Sequence, residues 1–599
     1  MKTLLIFPPQ WMPIGPHYSL PTLVGQFKDT PYQAEAMDLN IEYYNEILTS
    51  DCIKKSIERA KELLPKLKEE IKKDFVLNKK FEDYPFNLQN KILRASTING
   101  YLQTREKDIF SASLLVEQAV KVFKSKELFY NPHLFNQAVN TINTALEIYS
   151  LQYYPTKIGF SSYYNKLLKL DWETIKYYVF DEETNPFIEF FKTKLDKILS
   201  KNADSIGISI NSSSQIVAGL TLAHMLKQNT KAHIYIGGNH FGRVTDSVQK
   251  YPEIFEKFCD SLIVEEGEIP IVEHMKFIAG ELPIEKVHNL MYLKDGKVLQ
   301  NETAVPLCLN EMKPPSLDDY NLDLYFTPEI VMPFQTSRGC YWRKCSFCDH
   351  DFGMNYNIRS IDKLITQFKM FKEKYNIDKF ELIDEAISPS YMKEMSEAII
   401  KNDLKINFFC DARLESAFTK DVFEIAQKAG LKMVLWGLES GSRKIMELIN
   451  KGIDIDNRLN ILKDARDAGI YNFCFIFFGF PAETKEDAMQ TIDLICNNTD
   501  VINTYAKSIF TMGKHTKLRE APEKYGVVGE TYQEAEFSPT YHYNAIGMTP
   551  EELNEIVALC TKRASVAYGN ALPFYLLGRE LILLYLCKYT IDEVCEFKL

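Results

Sequence analysis

The chain has 599 residues, enough for several domains with full cores, and its 46% apolar and 25% charged content is that of an ordinary water-facing protein. A net charge of −11 argues against a broad basic face for nucleic acid. No run of about 18 apolar residues is available to cross a membrane. The start, Met1-Lys2-Thr3-Leu4-Leu5-Ile6-Phe7, runs straight into Pro8-Pro9 and lacks the small-residue cleavage site of a signal peptide. Twelve cysteines in such a chain point to metal-bound or buried thiols in a reducing, cytoplasmic and anaerobic setting, not to disulfides.

Residues 3–7 form a short apolar run closed by Pro-Pro, the pattern of a buried parallel strand. A short helix is predicted over 20–27 and a second strand over 33–39. Residues 43–195 then read as a helical insertion, with long amphipathic runs at 53–75 and 111–128 and many aromatics. Strand–helix alternation resumes with strands at 205–210, 233–236 and 261–264. Five short strands alternating with helices predict a Rossmann-like, doubly wound parallel sheet, assembled from 1–42 and 196–275. Ligands of such sheets lie at the carboxyl ends of the strands, where this chain places glycine- and serine-rich loops. A connector over 276–330 carries a hairpin signal at 291–298 around Asp295-Gly296, then a Pro-rich linker.

A second β/α series begins at Val331. Its first strand feeds the stretch T-S-R-G-C-Y-W-R-K-C-S-F-C-D, with Cys340, Cys345 and Cys348 spaced C-x₄-C-x₂-C. Three thiolates suit three irons of a [4Fe–4S] cubane and leave the fourth iron open. A zinc site or three unrelated buried thiols are the alternatives, although no further C-x-x-C pair completes a structural zinc set. Strands at 379–383, 406–410, 433–438, 471–477 and 500–510 follow, separated by amphipathic helices, so 331–525 reads as a partial (β/α)₆ barrel with its functional loops at the strand carboxyl ends. Residues 526–599 are expected to be mostly helical, with a helix start at Thr549-Pro550-Glu551-Glu552, an apolar cover over 577–597 and Tyr541-His542-Tyr543 in a packed loop or lining the barrel mouth.

The cysteine stretch resembles the cluster motif of radical S-adenosylmethionine (SAM) enzymes. One extra residue sits in the first gap, and Phe347 matches the aromatic before the last cysteine. The upstream sheet resembles the cobalamin-binding domain that precedes many radical SAM cores, through I-F-P-P-Q, M-D-L-N, I-S-I-N-S-S, I-G-G-N and E-E-G-E after successive strands. The D-x-H-x-x-G histidine motif of cobalamin mutases is absent. The resemblance implies a [4Fe–4S] cluster on Cys340, Cys345 and Cys348, with SAM on its open iron. It places Asp384 and Glu385 at the methionine amino group, Arg413 at the SAM carboxylate, Glu439 and Ser440 at the ribose or carboxylate, and F-G-F-P-A-E-T near the adenine. Cobalamin would rest on Pro8, Pro9, Gln10, Asn211, Ser212, Ser213, Gly237, Gly238, Asn239, Glu266 and Gly267. Trp342, Arg343, Lys344 and His350 flank the cluster and would tune it, steer an anion or simply be solvated.

The other nine cysteines show no second cluster pattern, unlike methylthiotransferases and many peptide-modifying relatives. The resemblance therefore implies a C-methyltransferase that moves a methyl group from SAM, via methylcobalamin, to an unactivated carbon of a natural-product or peptide substrate. It also implies a reductase, flavodoxin or ferredoxin as electron donor. A cobalamin-dependent rearrangement, cyclisation or ring contraction is the alternative within the same family. A non-catalytic cobalamin or redox sensor is the alternative outside it. The helical insertion is the candidate substrate-facing cap.

Overall fold

The computed structural model describes residues 1–349 and 355–598. They divide into two compact units, one made of Met1–Pro306, Lys313–Pro328 and Ala535–Ser538, the other of Leu307–Met312, Glu329–Glu534 and Pro539–Leu599.

The first unit is built on a seven-stranded sheet. Its strands in chain order are β1 (Lys2–Phe7) and β2 (Gln33–Asp38). A small antiparallel pair follows, β3 (Thr156–Ile158) and β4 (Tyr163–Asn165). Then come β5 (Ser205–Ser209), β6 (His233–Gly237), β7 (Ser261–Ile263), β8 (Leu290–Lys294) and β9 (Lys297–Gln300). The sheet order is β2-β1-β5-β6-β7-β8-β9. From β2 to β7 the pairings are parallel, and β8 and β9 are added antiparallel. Leu4, Leu5, Ile6 and Phe7 are all buried, as an apolar strand covered on both faces must be. The hairpin expected inside a connector is in fact the last two strands of this sheet, because Leu290, Met291 and Tyr292 carry buried side chains onto β7.

Between β2 and β5 the chain forms the long helices Ser50–Asp74, Phe86–Thr104, Glu106–Lys124 and Pro132–Leu151. Two of them, the first and the last, start on a side-chain cap. Thr49 accepts from Cys52 N, and Asn131 accepts from His133 N and Leu134 N with Pro132 in the first turn. Ala60, Leu67, Ala95, Ile98 and Leu151 form a shared core among three of these helices, the buried stripe of their amphipathic pattern.

The second unit holds a six-stranded sheet. In chain order its strands are β10 (Met332–Phe334), the short ladder β11 (Ser337–Arg338) with β12 (Asn357–Ile358), then β13 (Lys379–Leu382), β14 (Asn407–Ala412), β15 (Leu431–Glu439), β16 (Tyr471–Phe478) and β17 (Thr504–Ile509). The order β10-β13-β14-β15-β16-β17 is wholly parallel, the layout of a (β/α)₆ partial barrel. Phe380 packs on Phe334, Phe368 and Phe371, and Trp436 packs on Phe418 and Phe423, which fixes these positions as the helix-facing side. Alternation then puts Glu381, Asp411, Arg413 and Glu439 on the lumen side.

One region departs from expectation. Residues 526–549 are not helical. β18 (Met512–Gly513), β19 (Val527–Gln533) and β20 (Thr540–Ala545) make an antiparallel sheet, and Tyr541-His542-Tyr543 lies in β20, not in a loop. The alternation in T-Y-H-Y-N-A has the period of a strand exposed on one side. Helices begin at Pro550, where Thr549 and Glu552 form a capping box, and continue as Arg579–Lys588 and Ile591–Glu596. The helix Arg579–Lys588 packs on β14 and β15, burying Leu581 to Tyr585.

Candidate functional site

The cysteine loop leaves the carboxyl end of β10 and is fastened at both ends. At its start, the Asp384 carboxylate after β13 accepts from Thr336 N at 2.8 Å, from Thr336 Oγ1 at 2.6 Å and from Ser337 N. Burial pushes this carboxyl up to about 6, with the Thr336 and Ser337 donors opposing the rise. Asp384 therefore anchors the loop, which differs from its expected place against the methionine amino group. Its neighbour Glu385 is exposed at the same strand end.

The other fastening is a platform that sequence reading missed. Residues 448–452, the end of the helix Arg443–Ile449 and the three residues after it, present a row of backbone groups to the loop. Ser346 N donates to Ile449 O and Ser346 Oγ to Leu448 O, both at 2.9 Å. Trp342 Nε1 donates to Asn450 O at 2.9 Å, and Asn450 Nδ2 donates to Lys344 O at 3.0 Å. Asn450 and Gly452 are left-handed, with φ of 52° and 67°. The available signal was N-K-G directly behind an apolar helix, a helix-stop pattern.

Arg413 belongs to this platform. Its Nη2 donates to Lys451 O at 2.6 Å and Gly452 O at 3.3 Å, and its Nη1 pairs with Glu415. Its guanidinium also lies 4.2 Å from the centre of the Trp342 ring. These contacts commit it to holding the loop, whereas the resemblance placed it on the SAM carboxylate. Ser440 is likewise turned away from the mouth. Its hydroxyl lies 3.1 Å from Thr491 Oγ1 and its carbonyl accepts from Arg458 at 2.7 Å, so it is fully buried. Glu439 does face the lumen, with φ of 60°, and its Oε1 is 2.7 Å from Lys451 Nζ. Phe347 packs its ring on Phe477 at 5.2 Å.

Cys340, Cys345 and Cys348 form no disulfide and are each partly exposed on this doubly fastened loop. Among the described residues no three His, Cys, Asp or Glu side chains converge on a single-ion position. A cubane takes one thiolate per iron corner, so three thiols on one loop fit three irons and leave the fourth open. Of the flanking residues, Arg343 and Lys344 are exposed, and His350 lies outside the described residues.

Deeper in the lumen, Asp411 is pushed up to about 7 by burial, with Arg579 opposing the rise. Glu381 is raised by burial and by Glu580, while Arg579 lies 5.2 Å over the Phe475 ring. The helix Arg579–Lys588 therefore contributes two charges to the barrel interior.

In the first unit the loops expected to hold cobalamin all follow carboxyl ends of parallel strands. Pro8, Pro9 and Gln10 are buried after β1, Gln215 Nε2 donates to Pro8 O at 2.8 Å, and Gln10 Nε2 donates to Gly159 O and Tyr44 Oη. After β5, Asn211 N donates to Gln215 Oε1 at 2.9 Å, with Ser212 half-buried and Ser213 exposed beside it. After β6 comes Gly237-Gly238-Asn239, where Asn239 N approaches Asn211 Oδ1 at 3.4 Å. Gly238 has φ of 100°, and a Cβ there would lie 2.5 Å from Ile210 O. After β7, Glu266 O accepts from Asn289 Nδ2 at 2.8 Å, and a Cβ on Gly267 would meet Leu23 at 3.2 Å. These four loops share one edge of the sheet, at the carboxyl ends of its parallel strands, where such sheets take their ligands.

Fold and loop together define a radical SAM core behind a Rossmann-like sheet. Residues 334–495 match the family model described as Radical SAM superfamily, and the core is a radical SAM domain. The chain is similar to an uncharacterized methyltransferase, PH0819, of Pyrococcus horikoshii, at 28% identity over 310 residues; the match covers 49% of this chain and 65% of that protein's length. Its fold is that of the radical SAM methyltransferase TsrM from Kitasatospora setae, solved with tryptophan substrate and a SAM analogue: TM-score 0.56, 12% identity, 94% of this chain and 89% of that one. The cobalamin-dependent SAM radical enzyme OxsB, solved with aqua-cobalamin, aligns with TM-score 0.51 and 16% identity over 66% of this chain and 68% of that one.

Proposed function

We propose that this protein is a cobalamin-dependent radical SAM C-methyltransferase acting on a small-molecule or peptide substrate. The observation that carries the reading is the pairing of two features in one chain. One is a glycine-lined edge on a parallel sheet. The other is a three-cysteine loop fastened at the mouth of a (β/α)₆ barrel. The methyltransferase names of the Pyrococcus relative and of the TsrM fold neighbour support it.

When bound, the cluster would supply the electron that opens SAM, and cobalamin would carry the methyl group. Cys340, Cys345 and Cys348 would hold the cluster. Asp384 and the 448–452 platform would keep the three thiols in place. Glu385 and Glu439 remain at the mouth to meet the polar groups of SAM. The lumen charges Glu381, Asp411, Glu580 and Arg579 would bind and orient polar groups of the substrate. Pro8 to Gln10, Asn211 to Ser213, Gly237 to Asn239, and Glu266 with Gly267 would cradle the corrin. A cytoplasmic reductase, flavodoxin or ferredoxin would donate the electron; among the described residues no helix is long and apolar enough to cross a membrane.

Anaerobic reconstitution with iron, sulfide and cobalamin, followed by turnover with labelled SAM and candidate substrates, tests the proposal. S-adenosylhomocysteine together with 5′-deoxyadenosine and a labelled product is the expected result. 5′-Deoxyadenosine without S-adenosylhomocysteine would transfer the assignment to a rearrangement or cyclisation. Full cofactor loading without SAM cleavage under a strong reductant would leave a sensor.

A further inference from the structure

Lys451 and Glu439 form an ion pair beside the cysteine loop that no feature of the sequence singled out. Their 2.7 Å contact is shielded, with side chains 12% and 9% exposed. Two local devices hold it. Glu439 ends β15 in the left-handed region, at φ of 60°, which turns its carboxylate off the strand direction. Gly437, two residues earlier, leaves room for the lysine, since a Cβ there would lie 2.3 Å from Lys451 Nζ. The same ammonium is 5.9 Å from the ring of Phe347, the residue just before Cys348.

Reduction of a cluster on these thiolates adds one negative charge. A shielded cation nearby favours that charge and a shielded anion disfavours it, and neither is much screened by salt. Arg413, on the same platform, spends its guanidinium on Glu415 and on the backbone carbonyls of Lys451 and Gly452. We propose that Lys451 and Glu439 are positioning residues that set the reduction potential of the iron–sulfur site with opposite sign, Lys451 raising it and Glu439 lowering it. The inference rests on the cluster assignment made above.

The test is an EPR-monitored redox titration of the reconstituted full chain, without SAM, for wild type, K451Q, K451R and E439Q. Lys451→Gln shifts the midpoint to more negative potential, Glu439→Gln shifts it to more positive potential, and Lys451→Arg stays near wild type. A merely structural pair would not behave this way, because loosening the loop moves both neutral variants in the same direction or lowers their iron content together. Shifts of one sign, or no shift at full iron content, overturn the inference. If Lys451→Gln fails to hold iron, the Glu439→Gln and Lys451→Arg midpoints still decide it. Failure of wild type to bind a [4Fe–4S] cluster would instead remove the cluster assignment itself.

Discussion

The indole of Trp342 lies against Gly452 with no room for a side chain between them: an ideal Cβ on that glycine would fall 1.9 Å from Trp342 Cζ2. This contact seats the cysteine loop on its platform. It also ties the fate of the cluster to a glycine about a hundred residues away in sequence.

Gly452→Ala should therefore unseat the loop. The left-handed φ of 67° adds about 1–2 kcal/mol for an L side chain, and overpacking about 1–3 kcal/mol more. Thermal unfolding of the variant should show the loss. Iron content after reconstitution should fall with it, while Gly280→Ala, a left-handed glycine with open space around its Cβ, should keep its iron.

Asp384→Ala should be as damaging at the other end of the loop. It strands the amides of Thr336 and Ser337, each costing about 1–3 kcal/mol when buried without a partner. Asp384→Asn keeps one accepting oxygen and should lose about half as much. Denaturant unfolding with iron analysis measures both, and an Asp384→Ala protein of full stability and full iron content would remove the anchoring role.

Two buried carboxyls set a pH dependence of stability. Asp384 is raised to about 6 and Asp411 to about 7, both by burial, against an unfolded value of about 4. The folded chain then holds more protons than the unfolded chain between these values, so stability falls as pH rises from about 4 to about 7. Asp411→Asn should remove part of this slope and stabilise the apo-protein at pH 8, by about 1–3 kcal/mol. Unfolding midpoints at pH 5 and pH 8 would show whether the variant and wild type differ mainly at the higher value.

Each cysteine of the loop should be required for the cluster. Cys345→Ala should lose the brown absorbance of the reconstituted protein, and Cys410→Ala, at a fully buried strand position, should keep it. Retention of the full chromophore in Cys345→Ala would exclude that thiol as a ligand.

The corrin cradle can be probed apart from the cluster. Gly238→Ala must relieve a 2.5 Å approach to Ile210 O at a φ of 100°, so the loop after β6 should move. The expected outcome is weaker cobalamin retention on gel filtration with iron content unchanged.

The strand runs of both sheets were legible because apolar residues such as Leu4 to Phe7 can only be buried on two faces, and because each run ends in a turn signal. The cysteines were legible from spacing alone. What sequence could not supply was partnership. Asp384 and Arg413 have the chemistry of ligand contacts, but the chain uses them on Thr336, Ser337, Lys451 and Gly452, and only the fold brings those groups within reach. The strands over 527–545 were missed for a different reason. Their alternation is short and half exposed, and the strong helix start at Thr549 drew the whole tail into one class. Lys451 gave no signal at all, since a lysine after a helix is usually solvated.

The Pro-rich stretch after Pro306 looks like a spacer, yet Asp319 Oδ2 accepts from Ala36 N at 2.9 Å along the outer side of β2. At the opposite margin of the same sheet, β9 is short and carries the exposed Lys297 and Gln300. Unpaired strand margins invite addition of a foreign strand, and both are blunted here. A chain trimmed to end before Lys313 would strip the guard from β2 and should self-associate through it.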